Sequence, residues 1–478
     1  MRTRPRIGLL FLAGESWWEA GICDAVEGPY AGFVQKVEAD TARAVAVLKG
    51  QMDVVSSGLL HTEEQVVEAA RTFEQEGIDG LVFCPIIWTN DPPVIALIRA
   101  MRRVPLLLWA YDPYDGFPEH FRIEEWLRAS GPVSVQQSAN IFRRFGWDYE
   151  IAFGNENNAQ ALGEIVAFAR AAAVKRRLVG TRIAVLPAPC NVVASTWIDD
   201  FALLETFGIE LVYVPVDRLA MLVQETSESK AADYVEWLRE NCHMAAPAHD
   251  EGFEDVLVES ARQALALVRL AEQEGLAGIA LDDFNPDLCR ILGFRPHLYH
   301  PTLGELGCTV GLEADVLGVL ATIIAGRLAG RMAMFNEFFS IDPAENTVLM
   351  GHPGMGELSM GDPETFTVTP DLEFDETQDR GAWVSYRAKP GPMTFLNMTP
   401  EHGRIKVAVW TGESLPGPRI MEGYSHMLVK PDGEARALFK RVVGLGLLQH
   451  WGTVHGNVAA EIGCLMRMLG LDVDALTP

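Results

Sequence analysis

Short, wholly apolar runs, each separated from the next by a helical stretch, constrain this chain more than any other feature. Residues 6–12 (RIGLLFL) and 80–84 (GLVFC) lack the alternation of a strand with one wet face, so they read as parallel strands covered on both sides. A helical pattern over 62–75 lies between them, and another over 93–102 leads to a third run, 105–110 (PLLLWA). This βαβ rhythm predicts a doubly wound parallel sheet of the flavodoxin-like kind. The rhythm restarts at 182–186 (RIAVL), passes a helix near 197–206 and a strand at 210–214, and continues through a helix over 253–274 into 278–281 (GIAL). From about residue 346 the texture changes to short β-rich runs between glycines and prolines, at 365–368, 383–386, 393–396 and 405–410. A last helix over 458–469 is stopped by Gly470. The expected architecture is α/β: two flavodoxin-like doubly wound parallel-sheet domains, 1–158 and 159–345, then a mostly antiparallel, β-rich C-terminal domain, 346–478.

A chain of 478 residues exceeds one ordinary core, and 49% apolar against 22% charged residues allows several to be buried. The net charge of −26 argues against nucleic acid or an anionic membrane surface as partner, because both attract basic patches. Seven dispersed cysteines with no Cys-x-x-Cys pair give no disulfide framework and no structural zinc pattern. No apolar run reaches the ~20 residues of a membrane span. The nearest, 316–329, contains Arg327, and the apolar start at 7–13 runs into Gly14, Glu15 and Ser16 without a secretory cleavage pattern. These features lead us to expect a cytoplasmic protein.

Several residues carry possible chemistry. Asp282 and Asp283 follow the run 278–281, where an open parallel sheet binds ligands, although a turn or helix cap uses the same residues. The segment 311–325 reads as a buried helix with Glu313 and Asp315 in its first turn, where acids complement the helix dipole. Glu337 stands among Phe335, Phe338 and Phe339, and a carboxylate there needs a metal, a catalytic role or an exposed turn. His352 follows an apolar run between glycines, and His450 and His455 precede the last helix. Histidine is the commonest protein metal ligand. Spacing alone does not assemble these residues, since no dense motif of the His-Glu-x-x-His kind links them.

The stretches 311–318 (GLEADVLG), 336–342 (NEFFSID) and 389–395 (KPGPMTF), in that order, resemble the L-fucose and L-arabinose isomerase family of metal-dependent aldose–ketose isomerases. The resemblance implies that Glu313 and Glu337 hold a divalent cation and serve the proton transfers, with His450 as the third ligand. His352 resembles an additional ligand of the arabinose isomerases. His455, in a Trp-Gly-x-x-His-Gly context, is the alternative to His450, which keeps the terminal helix in register. The implied cation is Mn²⁺, or another such as Co²⁺ or Mg²⁺. The family also implies a homo-oligomer, commonly a hexamer, with active sites between subunits and Trp88, Gln136 and Gln137 contributing to the sugar pocket. The expected reaction is isomerisation of a pentose, hexose or substituted hexose through an enediol. Two rival readings stay open: a non-catalytic sugar-binding or regulatory module, which two α/β domains could form as a clamp, and a metal-dependent sugar lyase.

Overall fold

Apolar runs that cannot leave either face in water become inner strands, and the start of the chain folds accordingly. Strands β1 (Arg6–Leu12), β2 (Asp53–Leu60), β3 (Gly80–Pro85), β4 (Leu106–Ala110) and β5 (Glu150–Phe153) form a sheet in the order β2-β1-β3-β4-β5, with every pairing parallel. The computed structural model describes residues 4–245, 252–354, 356–371 and 381–477. The chain divides into two compact units, 1–176 and 177–478, and this sheet belongs to the first. Its helix Glu63–Glu76 starts on a capping box in which Thr62 and Gln65 satisfy each other's backbone N–H groups. The edge strand β2 carries Ser56, Ser57 and Gly58 in its middle, which is why no apolar run announces it.

The second unit holds a second parallel sheet. Strands β6 (Arg182–Leu186), β7 (Glu210–Tyr213), the two-residue β8 (His243–Met244), β9 (Leu276–Leu281) and β10 (Thr309–Gly311) come first in its sequence. Four of them line up as β10-β9-β6-β7, all parallel. Then follow β11 (Met334–Asp342), β12 (Thr347–His352), β13 (Thr367–Pro370), β14 (Ala382–Ser385), β15 (Gly391–Glu401), β16 (Arg404–Ser414), β17 (Ser425–Pro431), β18 (Trp451–His455) and β19 (Val473–Ala475). The largest sheet runs β15-β18-β11-β12-β17-β16-β19, and an additional β15–β16 pairing closes six of these strands into an antiparallel ring. Only β19 is added parallel. Closure removes the unpaired edges that an open sheet would expose. The ring holds an aromatic core in which Phe395 stacks on Trp410 at 3.7 Å and Phe338 contacts both Trp410 and Trp451. The fold is thus two doubly wound parallel sheets followed by a mainly antiparallel one.

One helix, Val316–Ala329, is buried on nearly every face and ties the second parallel sheet to the ring. A Cβ on Gly278 of β9 would lie 2.5 Å from Val319, and one on Gly452 of β18 would lie 2.4 Å from the backbone at Ala321 and Thr322. Glycine at both places lets strand and helix approach closely. The sequence reading needs correction at the start of this helix. Helical geometry begins at Val316, and Asp315 is its N-cap, with Oδ1 accepting the Gly318 N–H at 2.9 Å. Glu313 lies outside the first turn: it and Ala314 are left-handed, with φ of 57° and 47°. Such a conformation costs about 1–3 kcal/mol at a non-glycine residue and persists only where the surroundings enforce it.

Candidate metal centre

Three elements bring their ends together. Glu313 stands on the left-handed turn after β10, His352 is the last residue of β12, and His450 directly precedes β18. Their ligand atoms all lie within 4.8 Å of one another. His450 Nε2 is 3.3 Å from His352 Nε2 and 3.5 Å from Glu313 Oε2. Both imidazoles are buried, at 1% and 3% exposure, and Phe335 forms an apolar wall with its ring 4.4 Å from His450 and 5.1 Å from His352.

The tautomers follow from the partners. His352 Nδ1–H donates to the Pro353 carbonyl at 2.8 Å, and His450 Nδ1–H donates to Asp315 Oδ2 at 2.8 Å. Each ring therefore turns its Nε2 toward the other and toward the carboxylate. Burial drives the His352 pKa down to about 3, so this ring is neutral and its lone pair is available. Burial also opposes charge on His450, but the hydrogen bond and charge of Asp315, with the charges of Glu313 and Glu337, outweigh it and raise its pKa. Glu313 is raised by burial, against the nearby His450 and a 2.9 Å hydrogen bond from Gln449 Nε2. Two imidazole nitrogens and a carboxylate meeting at one point could hold a cation between them, and imidazole with carboxylate suits a divalent transition metal. The donor set fits such an ion. Asp315 behind His450 supplies the carboxylate that commonly orients a metal-bound histidine.

Glu337 lies outside this group of three. It is half-buried on β11 opposite Gly351, and the pairing of Asn336 with Trp451 brings it beside His450, whose pKa its charge helps to raise. His455 is at the far end of the five-residue strand β18, facing an open depression of about 620 Å³ with Arg331, Ser359 and Lys389. At ~3.3 Å per residue it is some 16 Å along the strand from His450. Asp282 and Asp283 stand at the carboxyl end of β9 and are buried. Asp283 Oδ1 accepts the Glu313 N–H at 2.9 Å, while Asp282 is hydrogen-bonded by Asn285.

In the first unit, Trp88 lies beyond the carboxyl end of β3, its ring 5.7 Å from that of Trp17. Gln137, on the helix Gly131–Arg144, reaches Thr89 and Asp91 beside it, whereas Gln136 on the same helix is exposed. Trp88, which contacts Gly14 and Trp17 after β1, stands near the point between β1 and β3 where the strand order reverses. Sequence reasoning missed Gln449 and the group formed by Arg295, His297 and Asp371. Gln449 adjoins a candidate ligand, which is a usable signal; the other three have no mark in the sequence.

No helix among the described residues is long and apolar enough to cross a membrane, and no disulfide joins the cysteines. No protein-family model matches the chain. It is, however, similar over nearly its whole length to an isomerase. A sulfoquinovose isomerase of Clostridium sp. (strain MSTE9) is 24% identical over 462 residues, covering 94% of this chain and 96% of that protein. Sulfoquinovose isomerases of Priestia aryabhattai and Priestia megaterium are 25% identical over 191 residues, 39% of this chain and 41% of theirs.

Proposed function

We propose that this protein is a divalent-metal-dependent aldose–ketose isomerase, with Glu313, Glu337, His352 and His450 as its metal-binding residues. The observation that carries this reading is the convergence of the Nε2 atoms of His352 and His450 on the Glu313 carboxylate. A divalent cation held there would supply Lewis-acid polarisation of the sugar carbonyl. Moving hydrogen between C2 and C1 also requires a base at carbon and a proton carrier at the two oxygens. One of the two glutamates, Glu313 or Glu337, would take the C2 proton and pass the sugar through an enediol. Glu337 supplies the second carboxylate, and Gln449 steadies the Glu313 side chain. Phe335 keeps water from one side of the imidazoles.

The substrate we infer is a hexose, and the relatives make a sulfonated hexose the first to test. The experiment is a panel of aldoses, sulfoquinovose among them, incubated with purified protein and Mn²⁺, Co²⁺ or Mg²⁺, with ketose formation followed by NMR. Ketose formation abolished by chelation supports the proposal. Cleaved fragments would identify a lyase, and sugar binding without turnover a binding module.

A further inference from the structure

Behind the Glu313 turn lies a second group of ionisable side chains, more deeply buried than the first. Asp283 and Arg295 are 4% and 2% exposed, and His297 and Asp371 are 0% and 2%. His297 Nδ1 is 3.1 Å from Asp371 Oδ2, and its Nε2 is 3.5 Å from Asp283 Oδ2. The guanidinium of Arg295 lies 3.3 Å from Asp371 and 3.8 Å from Asp283. Burial opposes charge on His297, but its close contacts with the Asp283 and Asp371 carboxylates outweigh it and hold its pKa at about 9. Two anions thus face two cations. A buried set of this kind is a costly way to stabilise a fold, because desolvation consumes much of the attraction.

Its contacts indicate what else it does. Asp283 has two oxygens with different tasks: Oδ2 faces His297 and Arg295, while Oδ1 takes the Glu313 N–H at 2.9 Å. That N–H belongs to the left-handed turn at Glu313 and Ala314. The ring of His297 also backs the turn that follows His352, since a Cβ on Gly354 would come within 3.1 Å of it. Trp383 stacks on the same ring at 5.7 Å. The cluster therefore bears on the backbone beside two of the three converging donors.

We propose that Asp283, braced by His297, Arg295 and Asp371, is a positioning residue that holds the Glu313 turn in its left-handed conformation and so sets the affinity of the centre for metal. A strained turn needs a determinant outside itself, and a charge-assisted hydrogen bond from its own N–H to a carboxylate fixed by two cations is one. The proposal rests on the reading of Glu313, His352 and His450 as a metal centre.

The test titrates Mn²⁺ into full-length wild type, Asp283→Asn and His297→Gln. Free Mn²⁺ is read by electron paramagnetic resonance, and the exchange of backbone amides around Glu313 by mass spectrometry. Asp283→Asn should weaken Mn²⁺ binding about 10- to 100-fold and speed exchange of the Glu313 amide. His297→Gln, one step further back, should do the same to a smaller degree, and it decides the matter if Asp283→Asn does not fold. Unchanged Mn²⁺ affinity in the variants overturns the proposal, whether their melting temperatures fall or KM for a sugar rises. A wild type that binds no divalent cation overturns the metal reading instead, and the proposal with it.

Discussion

His450 and Asp315, 135 residues apart in sequence, are joined by a 2.8 Å hydrogen bond from the imidazole Nδ1 to the carboxylate Oδ2. The other oxygen of Asp315 caps the helix Val316–Ala329. One side chain thus starts the most buried helix of the second unit and selects the tautomer of the histidine in front of it.

Asp315→Asn should separate these two tasks. Asparagine caps helices as well as aspartate. Gly318 and His450 use different oxygens of Asp315, however, and the amide NH2 that replaces one of them cannot accept. If the oxygen stays on the cap, the amide N–H meets His450 Nδ1 and drives its proton to Nε2, where the metal would bind. We expect a melting temperature close to wild type with divalent-metal affinity lowered about 10- to 100-fold, as measured by calorimetric titration.

Glu337→Gln should lower both metal occupancy and turnover. The amide preserves shape but removes the negative charge that coordination uses and the basicity that proton transfer uses. Elemental analysis of the purified variant and its isomerisation rate check this, and full activity would remove Glu337 from the mechanism.

The two C-terminal histidines should behave oppositely. His450 lies 3.3 Å from His352 Nε2, while His455 is at the other end of β18. His450→Ala should remove the divalent cation and His455→Ala should retain it. The reverse result would shift the centre to the far end of the strand.

His297 makes stability depend on pH in a known direction. Its folded-state pKa of about 9 lies above its ordinary 6.5, with Asp283, Asp371 and Arg295 packed on it and His352 near enough to interact. A raised histidine pKa stabilises fully below the unfolded value and ceases to do so above the folded one. The metal-free protein should therefore lose stability between about pH 6.5 and 9, and His297→Gln should flatten that slope in denaturant titrations.

Hydrogen transfer can be followed directly. If Glu313 removes the C2 hydrogen as a proton, turnover in D₂O should place deuterium at C1 of the ketose, or at C2 in the reverse direction. Intact delivery of a C2 label to C1 would indicate hydride transfer and leave the glutamates as ligands alone.

The sequence by itself indicated both parallel sheets, though not their edge strands β2, β5 and β10. Residues 6–12 and 182–186 are strands over the full lengths read from their apolar character, and 253–274 is a helix over the full range read from its periodicity. Such elements are legible because two-sided burial writes itself into consecutive residues. The ring was visible only as β-rich texture from 346, although it begins at β11 with Met334. Its closure rests on pairings between distant strands, which leave no local mark.

The candidate site divides in the same way. Glu313, Glu337, His352 and His450 could be singled out as residue types in suggestive settings, and resemblance supplied their grouping. Only tertiary structure decided that Glu313 precedes the helix on a left-handed turn, that Asp315 serves His450, and that Asp283 holds the Glu313 backbone. The physical reason is that a hydrogen bond acts over about 3 Å of space whatever the separation along the chain. Residues 283, 313, 315 and 450 become neighbours only when a parallel sheet, a buried helix and a closed ring bring their ends to one place.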